Sequence, residues 1–208
     1  MNWVDWHQDY DTPGSPLHRR LGWVQRRIGE ALDAAPPGPI RVLSMCAGQG
    51  RDLLGVLPGH PRRSDVRARL VELDPDNAAA ARRAALPGVE VVTGDAGDSG
   101  AYDGVVPVHL AIVCGVFGNL TDADIRNTVA ELPRLCAPGG TVVWTRHTER
   151  PDLTPDIRSW LAESGFQEVA FDTEPGFRFG VGTHRLTGAA LPYRPDRRLF
   201  RFTQSQDR

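Results

Sequence analysis

The chain has 208 residues, a length that suits one large domain with a sizeable core. Although all 24 cationic residues are arginine, the formal net charge is −2, which argues against a nucleic-acid-binding surface. No apolar run reaches the roughly 18 residues that a membrane span needs and no export signal opens the chain, so we expect a cytoplasmic protein outside the membrane.

The cysteines predict neither a disulfide framework nor a metal centre. There are three of them, Cys46, Cys114 and Cys136, and they lack the spacing of metal ligands. An odd number of unclustered cysteines is typical of a reducing compartment. We therefore predict no metal site.

The first residues of the chain carry much aromatic area. Trp3, Trp6 and Tyr10 share one face if their segment is helical, and a terminus would otherwise be expected to fray. The stripe predicts a lid over a ligand cavity. The alternatives are docking of the terminus onto the domain and a contact within a homodimer.

A helix is predicted directly after this segment. Ser15 and Pro16 form an N-cap and first-turn pair, and apolar residues then recur at spacings of three and four as far as Leu32. We divide the chain accordingly into an N-terminal helical extension, residues 1–35, and a main domain, residues 36–208.

A glycine loop follows the first predicted strand. The strand begins at Ile40 and leads into Cys46-Ala47-Gly48-Gln49-Gly50-Arg51, where glycine lets the backbone come close to a ligand. This pattern indicates a loop that binds a nucleotide-type cofactor. The structural alternative is an ordinary tight turn.

Two acidic residues end the next two predicted strands. Glu72 lies about 20 residues after the glycine loop, where a carboxylate can accept hydrogen bonds from the hydroxyls of a ribose. A helix is predicted from Pro75 to Leu86, and a third strand then ends in Gly94-Asp95. Two carboxylates at one sheet edge suit a ribose and the amine of an adenine.

The rest of the chain continues to alternate strands with helices. This alternation predicts a doubly wound, mostly parallel sheet that binds ligands beyond the carboxyl ends of its strands. The predicted elements are a strand over 108–114, a helix over 121–135, a strand over 141–147, a helix over 155–164 and a strand over 168–171.

In this arrangement the chain resembles the class I S-adenosylmethionine (SAM)-dependent methyltransferases over roughly residues 40–203. The run Pro138-Gly139-Gly140 before a strand matches the family's turn ahead of its fifth strand. The resemblance implies a Rossmann-like sheet of seven strands, whose last, antiparallel strand we assign to Leu199–Thr203. The reverse assignment, to the extended segment 177–186, remains open.

The resemblance also implies where SAM, and its product S-adenosylhomocysteine, would bind. In the family the glycine loop holds the methionine end, the acid after strand two holds the ribose and the Asp after strand three meets the adenine amine. The chain departs from the family at Ser44, where an acid is usual, at Cys46, where the first glycine is usual, and at Arg51. The predicted cofactor-binding residues are Tyr10, Cys46, Ala47, Gly48, Gly50, Arg51, Glu72, Leu73, Asp95, Ala96, Cys114 and Gly115.

The resemblance implies a methyltransferase that acts on an oxygen or nitrogen atom of a small molecule. Asn119, in the turn after strand four, is a candidate for contact with the methyl acceptor, or a turn residue ahead of a helix cap. His147, at the end of strand five, is a candidate general base, or a histidine that orients a loop. The alternative functions are a noncatalytic SAM-binding protein and an NAD(P)-dependent oxidoreductase.

Overall fold

The computed structural model describes residues 9–203, whose strands form one seven-stranded sheet with helices on both faces. In chain order the strands are β1 (Ile40–Met45), β2 (Val66–Glu72), β3 (Val89–Thr93), β4 (Val108–Val113), β5 (Cys136–His147), β6 (Phe166–Asp172) and β7 (Phe179–Leu186). The α-helices are α1 (Pro16–Ala34), α2 (Arg51–Leu54), α3 (Pro75–Ala84), α4 (Asp122–Leu135) and α5 (Thr154–Glu163). Short 3₁₀ turns include Asp9–Asp11 and Phe117–Asn119.

The order of the strands places a switch point between β1 and β4. The sheet runs β3-β2-β1-β4-β5-β7-β6, and β7 pairs antiparallel with both of its neighbours while the other pairs are parallel. From β1 the chain adds β2 and β3 on one side of the sheet, and it then crosses back to place β4 on the other side of β1. Loops after β1 and β4 therefore diverge and leave a crevice between them. The predicted α/β, mostly parallel sheet is confirmed.

The core lies on both faces of this sheet. On one face α1 contributes Val24, Ile28 and Leu32, which are at most 1% exposed and are spaced four residues apart. On the other face α4 and α5 pack around Trp144, which is fully buried. Burying a large apolar side chain contributes about 1.5–3 kcal/mol, so both layers of helices hold the sheet in place.

The N-terminal helix begins where the sequence predicts. The Ser15 side chain accepts a hydrogen bond from the backbone N–H of His18 at 3.0 Å, and Pro16 occupies the first turn. Because α1 packs its apolar stripe on the sheet, it shares a core with the main domain. The division of the chain at residue 35 stays a prediction.

The last antiparallel strand is β7, so its assignment to Leu199–Thr203 is wrong. β7 pairs with β5 because Gly182 makes room for Trp144: a Cβ at this glycine would overlap the indole ring. The segment Leu199–Thr203 is extended, but it forms hydrogen bonds with loops and not with a strand of the sheet. Its Leu199 N–H donates to the Gly97 carbonyl and its Thr203 N–H to the Asn119 carbonyl.

β5 begins five residues earlier than predicted. Cys136 already pairs with Val108, and pairing resumes between Thr141 and Leu110 after an irregularity. The turn around Gly139, with a φ of 74°, forms this irregularity inside the strand. Among residues 9–203, none of the helices combines the length and apolar character that crossing a membrane requires.

Candidate active site

A cavity of about 480 Å³ opens at the carboxyl ends of the central strands. Its walls come from the loops after β1, β2, β3 and β4, from the N-terminal segment and from the chain's tail. This size is within the range of pockets that enclose a small ligand. The lining residues are Tyr10, Arg20, Cys46, Ala47, Gly48, Gln49, Arg51, Asp52, Glu72, Leu73, Asp74, Asn77, Asp95, Ala96, Cys114, Gly115, Asn119, Phe202 and Thr203.

The glycine loop forms one wall through its left-handed backbone. Cys46, Gly48 and Gly50 have φ values of 50°, 55° and 75°. A Cβ at Gly50 would lie 2.7 Å from a Leu54 methyl carbon, so only glycine fits there without a shift of its neighbours. Gly50 does not line the cavity itself; it lets α2 begin directly after the loop and keeps the loop against the sheet.

Glu72 ties the glycine loop to the end of β2. Its side chain is 8% exposed, with Oε2 accepting a hydrogen bond from the Gly48 N–H at 2.6 Å and Oε1 accepting one from the Asp74 N–H at 2.8 Å. A carboxylate oxygen can accept two hydrogen bonds, so each oxygen keeps capacity toward the cavity. Glu72 can thus hold the loop and accept from two neighbouring hydroxyls.

Asp95 is oriented by a residue that the sequence analysis misses. Its Oδ1 accepts a hydrogen bond from the Gly97 N–H at 2.8 Å, and its Oδ2 forms an ion pair with the Arg198 guanidinium at 2.7 Å. The tail reaches this position because Gly97 has no side chain: a Cβ there would overlap the Phe200 carbonyl oxygen. No local pattern in the sequence connects Arg198 with an acid a hundred residues earlier.

The N-terminal segment covers one side of the cavity. Tyr10 is 8% exposed, and the Arg20 guanidinium donates a hydrogen bond to its hydroxyl. Arg51 lies over the Tyr10 ring, with its guanidinium carbon 5.6 Å from the ring centroid, and binds both carboxylate oxygens of Asp11. Tyr10 therefore lines the cavity, whereas Trp3 and Trp6 lie outside the described residues. The lid itself stays a prediction.

The turn after β4 meets the chain's tail on the opposite side. The Asn119 side-chain amide donates to the Gly115 carbonyl at 2.9 Å. The Asn119 backbone carbonyl accepts from the backbone N–H and the hydroxyl of Thr203, each at 3.0 Å. Burial raises the pKa of the Cys114 thiol well above its usual value, so this cysteine stays a neutral wall residue. Phe202, 39% exposed, adds an aromatic surface.

His147 does not line the cavity. It lies behind the 3₁₀ turn, where its Cδ2 would be 3.9 Å from a Cβ placed at Gly118. Its Nδ1 is buried, and burial together with nearby Arg146 lowers the pKa of the imidazole. The structure therefore brings together Asn119 and all the predicted cofactor-binding residues except Gly50, but leaves the candidate base His147 outside the cavity wall.

Two cavity residues that the sequence analysis misses carry opposite charges. Arg20 is 5% exposed and lies on the buried face of α1, one turn before Val24. A charged residue in the apolar stripe of a helix is a signal that could have singled it out. Asp52 follows the glycine loop, but an acid in a first helical turn is ordinary and gives no such signal.

No protein-family model matches the chain, and no curated protein matches it in sequence. Solved structures do match it. The N-methyltransferase NodS from Bradyrhizobium japonicum aligns with a TM-score of 0.62 at 16% identity, over 85% of this chain and 99% of NodS. A 1,6-didemethyltoxoflavin-N1-methyltransferase from Burkholderia thailandensis, which holds S-adenosylhomocysteine, aligns with a TM-score of 0.60 at 20% identity, over 89% of this chain and 87% of that one.

A third similar structure is magnesium protoporphyrin IX methyltransferase from Synechocystis, solved with bound SAM. It aligns with a TM-score of 0.66 at 13% identity, over 89% of this chain and 91% of that one. The likeness confirms that the chain has the Rossmann-like fold of these methyltransferases. At identities this low it shows the fold alone.

Proposed function

We propose that the protein is a SAM-dependent methyltransferase that acts on an oxygen or nitrogen atom of a small molecule. The observation that carries the proposal is the cavity wall formed by the glycine loop, Glu72 and Asp95 at adjacent strand ends. The bound SAM and S-adenosylhomocysteine of the structurally similar methyltransferases support the same ligand. A homodimer and a cytoplasmic location stay predictions.

The residues of the cavity fit this cofactor. Glu72 has a remaining acceptor site on each oxygen for the two ribose hydroxyls, and the loop from Cys46 to Gly50 offers close backbone approach to the methionine end. Leu73 is 60% exposed yet lines the cavity, so it can cover the face of an adenine beside Ala96. Asp95 would meet the adenine amine.

The cofactor supplies a methyl group on a positively charged sulfur, and the chain's residues would hold an acceptor in line with it. Transfer of this methyl group would leave the electron pair of the carbon–sulfur bond on sulfur, and the acceptor's oxygen or nitrogen would give up its proton to water. Holding two reactants in this geometry can supply much of the rate acceleration. Tyr10 and Phe202 line the cavity and would shield the bound reactants from water, and Asn119 would position the acceptor.

An NAD(P)-dependent oxidoreductase fits the structure less well. The dinucleotide-binding sheet continues with a sixth parallel strand, whereas here antiparallel β7 lies between β5 and β6. The third glycine of a dinucleotide loop would fall at Leu53, which is 1% exposed and packs in the core. A protein that binds SAM without turnover is the second alternative, and only an activity measurement separates it from an enzyme.

Turnover can be tested before the acceptor is known. The protein is incubated with SAM labelled in its methyl group and with a small-molecule extract freed of macromolecules. We expect labelled products to form together with S-adenosylhomocysteine, and to be lost in the Glu72→Gln variant. Binding of SAM without any labelled product across varied extracts would favour the noncatalytic alternative.

A further inference from the structure

Asp52 differs from the other acids that line the cavity. Glu72, Asp74 and Asp95 all accept hydrogen bonds from backbone N–H groups. The carboxylate of Asp52 has no hydrogen bond or ion pair with any other residue among 9–203. It is half-buried in the wall directly after the glycine loop, so it presents unused acceptor oxygens to the cavity.

The surroundings of Asp52 suit a ligand that carries both charges. Burial raises the pKa of its carboxyl group, and the positive charge of Arg20 opposes this rise. Arg20 lines the same cavity and holds Tyr10. A carboxylate and a guanidinium at one end of a cavity are complementary to the ammonium and carboxylate of an α-amino acid.

Ser44 stands at the position where the resembled methyltransferases usually carry an acid. Ser44 is 3% exposed, lies within β1 and is absent from the cavity wall. Ser44 therefore supplies no carboxylate for a ligand's ammonium group. Asp52 is the acid nearest in the chain to the loop that offers backbone approach.

We propose that Asp52 binds the α-ammonium group at the amino-acid end of SAM and S-adenosylhomocysteine, with Arg20 facing the α-carboxylate. This assignment rests on the proposed function. The same ammonium chemistry could come from an amine acceptor instead, so the test must separate the two sources.

The test combines a variant with truncated ligands. Titration calorimetry measures binding of S-adenosylhomocysteine, of its analogue lacking only the α-amino group, and of methylthioadenosine, which lacks the whole amino-acid end. Asp52→Asn keeps the shape of the side chain and removes its charge. Asp76→Asn removes an exposed charge outside the cavity and serves as the matched control.

We expect Asp52→Asn to weaken the binding of S-adenosylhomocysteine about tenfold to a hundredfold, because a hydrogen bond to a charged group contributes that much to affinity. Binding of the two truncated ligands should change by less than about twofold, and Asp76→Asn should leave binding of all three ligands unchanged. Equal loss for S-adenosylhomocysteine and its deaminated analogue would overturn the assignment.

The same measurements distinguish failure of the Asp52 assignment from failure of the proposed function. If Asp52→Asn lost turnover but kept its affinity for S-adenosylhomocysteine, Asp52 would bind an amine of the methyl acceptor instead. That result would overturn our assignment alone. If the unmodified protein bound none of the three ligands, the proposed function itself would fail. Thermal unfolding of each variant checks that the fold is retained.

Discussion

At the scale of single residues, Cys46 holds the glycine loop in a conformation that side chains disfavour. Its φ of 50° lies in the left-handed region, at a position where the resembled family carries glycine. Residues with a Cβ lose about 1–2 kcal/mol in this region. The loop thus carries backbone strain next to the cavity.

This strain predicts an unusual order of stability. Cys46→Gly should be more stable than Cys46→Ala by about 1 kcal/mol, because both variants remove the sulfur and only glycine relaxes the backbone. Urea denaturation measures the difference. The same pair at Cys136, where φ is −92°, is the control and should favour alanine. Equal stability of the two Cys46 variants would show that the loop is unstrained.

Asp52 should destabilise the ligand-free protein at neutral pH. Burial raises the pKa of its carboxyl group in the folded state, so its contribution to stability is present at low pH and is lost as the pH rises through that pKa. Asp52→Asn should therefore increase the free energy of unfolding at about pH 7, and its advantage should shrink toward about pH 4. Asp76→Asn should give no comparable gain. A loss of stability in Asp52→Asn at neutral pH would contradict the account.

The position of His147 changes what its replacement should do. A positioned general base contributes a factor of about 10² to 10⁴, but this imidazole lies outside the cavity wall. We expect His147→Asn to slow single-turnover methyl transfer by less than about tenfold at constant cofactor affinity. A loss of a hundredfold or more that lessens at higher pH would restore the general-base interpretation.

At the scale of elements, the tail joins the core and the cavity. Leu199 and Phe200 are each 1% exposed, whereas Phe202 and Thr203 line the cavity. The four residues thus divide between holding the fold and shaping the site.

Shortening the chain after Arg201 should separate these two roles. Cofactor affinity should fall while the melting temperature changes little, because the buried anchors remain. Leu199→Ala is the contrasting variant and should destabilise the fold by about 2–5 kcal/mol through the cavity it leaves. If the shortened chain bound cofactor normally, the tail would be no part of the site.

The sequence predicts those elements whose signals are local. The stripe of α1, the cap at Ser15 and the glycine turn each lie within a few residues, and the structure confirms them. The last strand could not be chosen this way. Two tail segments are both extended, and the choice depends on Gly182 accepting the face of Trp144 across the sheet.

The same limit applies to the site. Glu72 and Asp95 could be predicted because parallel strands bring their ends to one edge. Arg198 reaches Asp95 only through the folded tail, and Asp52 stands out only once the partners of the other acids are known. Long-range contacts decide both, and no spacing in the sequence encodes them.

At the scale of the whole molecule, the strand order explains why the site exists. The chain reverses between β1 and β4, and a crevice opens where their loops part. The N-terminal segment and the tail also contribute to the wall of this crevice, through Tyr10 and Phe202. The fold thus supplies a cavity at the place where its acids and its glycine loop converge.

The proposed function depends most directly on the binding of SAM by the whole protein. Titration calorimetry with SAM, S-adenosylhomocysteine and NAD compares the unmodified chain with Glu72→Gln, and with Glu163→Gln as an exposed control on α5. We predict binding of SAM and S-adenosylhomocysteine but not NAD, at least about tenfold weaker in Glu72→Gln and unchanged in Glu163→Gln. Tight binding of NAD with none of SAM would contradict the account.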